Sequence, residues 1–390
     1  MNARLRLCLT LVVLTLLGCS TSDVLRAARI AATGDAAGAG RMAAEKAAGY
    51  AANPDALLYD LKRIKAVLEK FRKGVDDAWG KEERREPAPK KYVKYTQNYL
   101  SRADVDFDAG IVTVETVDQA APEKALAAAI VTTLLTPNDP RGVDLYSDAP
   151  VALSGTPFLL GEVKDHAGSD IDGPDRAEAF AAHLLATALQ ERRTGGAGAK
   201  TVRFVAIAMV PDHLHVRAAK FRPLVTRWAG EYEVSGNLVY AIMRTESDFN
   251  PYAVSRVPAF GLMQVVPTSA GRDVYAFING KSGEPSGDFL FQPANNVRYG
   301  TAYLHLLDGR YLGGVRNPVS REYCVIAAYN GGAGGVLRTF HRDKAQAVAA
   351  INALEPLEVY NRLRAKLPYE ETRRYLAKVM DAKKDFINFQ

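Results

Sequence analysis

Much that would assign a chain quickly is missing from these 390 residues. There are three cysteines, two tryptophans and six histidines, and neither the cysteines nor the histidines fall at zinc spacing. No phosphate-binding glycine loop occurs, and no long run of Lys and Arg suits nucleic acid. Internal repeats are absent, which excludes a solenoid or propeller. The apolar run Leu7 to Leu17 is too short for a membrane-spanning helix, which needs roughly 20 residues. What remains is a composition 48% hydrophobic and 24% charged, that of a globular protein, long enough for two or three domains. The formal charge of +6 is a small excess, compatible with an acidic polymer as partner or with a plain solvated surface.

The N-terminus carries the first positive signal. Arg4 and Arg6 precede the apolar run, the arrangement of an export signal. Leu16-Leu17-Gly18-Cys19 then resembles a lipobox, the cleavage and lipidation signal of bacterial lipoproteins. Cleavage before Cys19 removes two arginines and no acids, so the formal charge becomes 6 − 2 = +4. Cys8 leaves with the signal and Cys19 takes lipid. Cys324 is then the only free thiol, and no intramolecular disulfide is possible. Its apolar surroundings read as those of a small buried hydrophobe. In the lipoprotein reading, two or more acyl chains give stable anchoring, and Ser20 in place of Asp favours the outer membrane. A plain signal peptide with a chance cysteine is the alternative.

Composition and periodicity then divide the chain into residues 1–18 (signal), 19–55 (an Ala- and Gly-rich tether), 56–211 and 212–390. Leu57, Leu58, Leu61, Ile64, Val67, Leu68 and Phe71 give a helix over 57–79, and 81–91 is a charged, Pro-containing loop. Val105 to Phe107 and Ile111 to Val117 flank Asp108-Ala109-Gly110 as a hairpin. Helices follow at 122–135, with Pro at its start, and at 175–192, whose apolar face carries Ala179, Phe180, His183, Leu184 and Ala188. A strand covers 202–210. The fold class is therefore α+β: an N-terminal domain with one antiparallel sheet and helices on one face, then an all-α domain. Helical periodicity in that second part covers 218–233, 236–248, 294–312, 318–329, 355–366 and 370–386. The irregular stretch 250–293 is long enough to build or cover a site.

One residue in the helical part stands out. Leu238, Val239, Ile242 and Met243 recur at helical spacing, and Glu246 falls on the same stripe. A carboxylate is costly to bury there. Pro251 disfavours helix at Asn250, so Glu246 sits near the helix end. Desolvation and the negative helix C-terminus both raise a carboxyl pKa, which suits a general acid. The bland alternative is an ion pair with an arginine elsewhere.

The ordered set Glu246-Ser247, Gly261-Leu262-Met263-Gln264, Ala328-Tyr329-Asn330 resembles the catalytic domain of the lytic transglycosylases. These are lysozyme-like enzymes that cut peptidoglycan glycan strands. Lys91 to Tyr95, the hairpin after it, Met209-Val210-Pro211 and Asn250 to Ser255 look like the membrane-bound members, which extends the resemblance from about residue 56 onward. It implies a lysozyme-like catalytic fold and cleavage of the β-1,4 bond between N-acetylmuramic acid and N-acetylglucosamine without water. It also implies Glu246 as acid and then base, no metal and no cofactor. Peptidoglycan is the implied partner, reached from the outer membrane through lipid on Cys19, with no nucleic acid involved. Ser247 and Gln264 are implied to hydrogen-bond the sugar, and Met263 to pack beneath it. Tyr329 and Asn330 are implied to orient Glu246 or hold the N-acetyl group. Tyr375 resembles a fourth motif whose hydroxyl approaches the carboxyl. Each has a bland counterpart. Ser247 can bond back to its own helix, Gln264 and Asn330 can fix loops, and Met263, Tyr329 and Tyr375 can be packing residues. His183, His213 and His215 read as surface or satisfied core residues.

Glycosidases commonly use two carboxylates. Asp248 lies on another helix face from Glu246, and Glu231 and Asp273 carry no motif. The alternatives at the level of function are a hydrolytic muramidase, as in goose-type lysozymes, and a non-catalytic peptidoglycan-binding scaffold.

Overall fold

The computed structural model describes residues 54–389 except 196–197 and 256–258. The export signal, Cys19 and nearly all of the tether lie outside the described residues. The chain forms two compact units. One is the chain to Pro211 together with 254–260 and 286–292; the other is 212–253, 261–285 and 293–390.

The first unit is built on five strands: β1 (Lys91–Thr96), β2 (Ser101–Asp106), β3 (Ile111–Thr116), β4 (Gln190–Arg193) and β5 (Thr201–Ala208). All pairings are antiparallel, in the order β1-β2-β3-β5-β4. Alternation sorts the side chains. Val105, Val112 and Ile207 are in register across three strands, as are Ala103, Val114 and Val205. These are buried under α2 (Pro122–Leu134), against which α3 (Pro174–Thr187) packs.

The opposite face is covered in part as well, which corrects the expectation of helices on one face only. Helix α1 (Pro54–Trp79) brings Phe71 to Tyr95, with ring centroids 5.7 Å apart, and sets Trp79 under the Arg102 guanidinium at 4.0 Å. Tyr95 and Arg102 are cross-strand partners on that face. Gly74 lets the Tyr99 ring lie directly on α1, since a Cβ there would fall 2.5 Å from it. Val67 is partly exposed, so it lies off the packed stripe of Leu68, Phe71 and Val75.

Charge is balanced within the unit. Arg102 is buried and donates to Glu115 at 2.5 Å; Arg192 bridges Glu83 and Glu115 at 2.8 and 2.9 Å; Arg85 holds Asp104 at 2.6 Å. Three arginines thus pair with three carboxylates, and Arg102 and Glu115 are both buried, where an ion needs such a partner. Arg192 belongs to β4. The helical reading of 175–192 runs too far, because the chain turns after Thr187 and the charged segment Gln190–Arg193 pairs with β5. Within α3 the buried face is Ala177, Phe180, Ala181 and Leu184, while Ala179 is exposed.

The second unit is helical and begins with α4 (His213–Ala219), α5 (Arg222–Glu231), α6 (Gly236–Ser247) and α7 (Arg272–Asn279). Next in the chain, α8 (Gly287–Phe291) belongs to the first unit. The remainder are α9 (Pro293–Leu306), α10 (Pro318–Gly331), α11 (Ala333–Arg338), α12 (Lys344–Asn352), α13 (Pro356–Lys366) and α14 (Glu370–Ala382). Helix α7 falls in the stretch expected to be irregular. Its ends explain the miss, since a π-turn over Pro267–Gly271 leads in and left-handed Gly280 closes it. Helix α14 buries Thr372, Tyr375, Leu376 and Val379 at helical spacing against α6 and α10. Cys324 is fully buried in α10, and burial pushes its thiol up to about 12.

Each unit contains one of the two tryptophans, Trp79 and Trp228. In a Trp228→Phe background, Trp79 fluorescence therefore reports the first unit alone. Phe71→Ala should lower its stability by about 3–5 kcal/mol in urea unfolding, the cost of emptying a buried aromatic site. An unchanged midpoint would mean that Phe71 is not part of this core.

Candidate active site

Helix α6 buries Leu238, Val239, Ile242 and Met243, and this stripe carries Glu246 into the last turn with part of its surface still exposed. The helix ends because Asp248 turns left-handed, at φ 53°, and Phe249 follows at φ 59°. Neither is glycine, so each conformation costs on the order of 1 kcal/mol that surrounding contacts must offset.

Tyr375 of α14 donates its hydroxyl to Glu246 Oε1 at 2.7 Å. Burial, and then the Glu246 charge, push its pKa well above the ordinary value. The phenol therefore keeps its proton and remains a donor at any working pH. Tyr329 of α10 is raised in the same way, by burial first and Glu246 next. Its hydroxyl goes elsewhere, to the Met263 carbonyl at 2.8 Å.

That contact belongs to a set that grips residues 261–264. Ser247 Oγ lies 2.7 Å from the Leu262 carbonyl and 3.1 Å from Met243 O one turn back. Asn296 Oδ1 of α9 accepts the Met263 N–H at 2.7 Å. The Met263 side chain is enclosed against Gly300, where a Cβ would fall 2.4 Å from its sulfur. Gln264 is held at φ 48°, another left-handed residue. Its Nε2 donates to Gly261 O at 2.8 Å and Ala253 O at 3.3 Å. Two carbonyl partners fix which end of the amide is nitrogen. Gln264 Oε1 is buried and has no hydrogen-bond partner among the described residues.

The structure thus brings Glu246 and Tyr375 into direct contact and gathers Ser247, Met263 and Tyr329 around the loop that ends in Gln264. Three of the expected sugar contacts are otherwise engaged. Ser247 and Met263 have no exposed surface, so neither reaches a ligand in this arrangement. Ser247 makes the back-bond that was its alternative reading, and adds the tie to Leu262. Tyr329 anchors the loop rather than bonding Glu246. Asn330 is exposed at the end of α10, and its Oδ1 accepts from Thr372 Oγ1 at 2.7 Å. Asn296, Gly300 and Thr372 escaped the sequence reading, because a lone Asn, Gly or Thr inside a helix carries no periodic signal.

Asp248 is fully buried, with Arg217 Nη2 3.5 Å from Oδ2 and Arg244 Nη1 3.4 Å from Oδ1, which makes it a structural anion. Asp273 accepts from the Tyr311 hydroxyl at 2.8 Å, and Glu231 is exposed at the end of α5. Among the described residues, no three His, Cys, Asp or Glu are grouped to hold a metal ion.

Residues 55–220 match the family described as the membrane-bound lytic murein transglycosylase C N-terminal domain, and residues 223–352 match the transglycosylase SLT domain. A membrane-bound lytic murein transglycosylase C of Yersinia pestis is 47% identical over 328 residues, which cover 84% of this chain and 90% of that protein. The chain belongs to the membrane-bound lytic murein transglycosylase C family. A family member from Yersinia pseudotuberculosis has the same identity and coverage. Among solved structures, the 70 kDa soluble lytic transglycosylase of Escherichia coli is 26% identical, with a TM-score of 0.34 over 45% of this chain and 26% of that one. The two family matches meet between residues 220 and 223, whereas the helical unit of the chain begins at Asp212.

If Ser247 ties the loop to α6, Ser247→Ala leaves the Leu262 carbonyl without that partner. It should destabilise the protein by about 1–3 kcal/mol in thermal unfolding. A hydroxyl serving only a ligand would leave the melting temperature of the free protein unchanged.

Proposed function

We propose that this protein is a peptidoglycan lytic transglycosylase that uses Glu246 as its single acid and base. The observation that carries the reading is the bond from Tyr375 to Glu246 Oε1. A phenol donating to one carboxyl oxygen leaves the proton of the neutral acid on the other, Oε2. That oxygen protonates the glycosidic oxygen between N-acetylmuramic acid and N-acetylglucosamine, and the C1–O bond breaks. The oxocarbenium-like centre draws help from the neighbouring N-acetyl group of the sugar. The carboxylate then takes the proton of the muramyl 6-hydroxyl, whose oxygen attacks C1. The product is a 1,6-anhydromuramyl end, Glu246 regains its proton and no water is consumed. The engagement of Asp248 by arginines supports a site that works without a second carboxylate.

Gln264 and Asn330 carry the sugar contacts in this reading. The unpaired Gln264 Oε1 is an acceptor, so its complement is a hydroxyl or amide N–H of the glycan. The chain from 212 onward does the chemistry, residues 56–211 form the N-terminal α+β domain, and 19–55 tether them to lipid on Cys19. The anchor lies in the outer membrane and faces the periplasm. Two observations support anchorage over a span: the relatives are named membrane-bound, and no described helix is long and apolar enough to cross a membrane.

Glu246→Gln should abolish cleavage of purified sacculi while keeping the fold, because the amide is nearly isosteric. Mass spectrometry of wild-type digests should show anhydromuramyl ends. Reducing muramic ends alone would make the protein a hydrolase, and unchanged turnover in the variant would exclude Glu246 as the acid. For the anchor, Cys19→Ala should release the protein into the soluble periplasmic fraction; retention in the membrane would rule out lipid on this residue.

A further inference from the structure

Arg217 lies on α4, within the range matched by the N-terminal domain family, yet its side chain is buried beside the end of the catalytic helix. Its Nε donates to the Asp248 carbonyl at 2.7 Å, and its Nη2 lies 3.5 Å from Asp248 Oδ2. One guanidinium thus holds both the backbone and the side chain of the residue that turns left-handed two positions after Glu246. The planar fork suits this double grip, which a lysine cannot reproduce. Arg244 reaches the other Asp248 oxygen at 3.4 Å and pairs with Asp385 at 3.4 Å. His213 Nδ1 lies 3.4 Å from Arg217 Nη1. Two successive non-glycine residues in the left-handed region persist only when their surroundings impose it; Phe249 is buried against Phe221, Tyr240 and Phe386, and the Arg217 grip holds Asp248 before it.

We propose that Arg217 is a positioning residue for Glu246: by clamping the Asp248 turn it fixes the last turn of α6, and so keeps Glu246 on the Tyr375 hydroxyl. This rests on the reading of Glu246 as the catalytic acid. The clamp is supplied from outside the residues matched by the transglycosylase domain, so that domain's own sequence does not reveal it.

The test uses the full chain. Arg217→Met paired with Asp248→Asn removes both charges, so no lone carboxylate is left buried. Its kcat on purified peptidoglycan should fall about 100-fold, the penalty for a misplaced catalytic group, with KM within about twofold of wild type. Arg217→Lys, which keeps the charge without the fork, should recover part of that loss. A crystal structure of each variant should show the Glu246–Tyr375 bond broken or lengthened beyond 2.7 Å. Wild-type kcat, a rise in KM alone, or a lost kcat with the bond intact would each overturn the proposal. Should wild-type digests lack anhydromuramyl ends, the reaction assigned to the protein falls. The crystallographic comparison would still decide the clamp.

Discussion

A carboxyl on the apolar side of a helix end is held only if something fixes both its rotamer and its proton. Here a buried tyrosine, which keeps its own proton under ordinary conditions, donates a hydrogen bond to Glu246. The rest of the helical unit serves this contact. The buried stripe of α6 sets the height of Glu246, and the packing of α14 on α6 and α10 sets the position of Tyr375. Gly331 permits the approach of α14, since a Cβ there would fall 2.8 Å from Thr372 Cγ2.

The second organising constraint is the short loop 261–264. Four neighbours grip it: Ser247 and Asn296 by hydrogen bonds to its backbone, Tyr329 likewise, and Gly300 by giving its methionine room. The result is a glutamine in a conformation that few residues adopt, with its nitrogen turned inward and its oxygen unpaired among the described residues. Strain and an orphaned acceptor at one residue are typical of positions kept for recognition rather than stability. In the proposed reading the chemistry falls on Glu246 and the recognition on Gln264 and Asn330, while Ser247, Met263 and Tyr329 hold the loop in place.

How much of this the sequence shows depends on the kind of signal. Periodicity reveals α6, α10 and α14, because long amphipathic helices repeat the same burial several times. It reveals the β2–β3 hairpin because Gly110, at φ 66°, marks the turn. It fails at β4, where Gln190–Arg193 is polar throughout and continues the charge pattern of the preceding helix. It fails at α11 and α12, whose Gly- and Ala-rich sequences carry weak contrast. In the site, motif order puts Glu246, Gln264 and Tyr375 in one frame. It does not say which way each side chain faces. Ser247, next to the acid, is turned into the protein, a fact fixed by the Leu262 carbonyl and invisible in one dimension. Arg217 and Asn296 are silent for the same reason, since their roles exist only through partners far along the chain.

The Tyr375 to Glu246 bond joins residues 129 positions apart. Closing so long a loop is a late and entropically costly step, worthwhile only once the intervening helices have docked. In the proposed mechanism, the acid and the group that aims it meet only once the tertiary structure that joins α6 to α14 is complete.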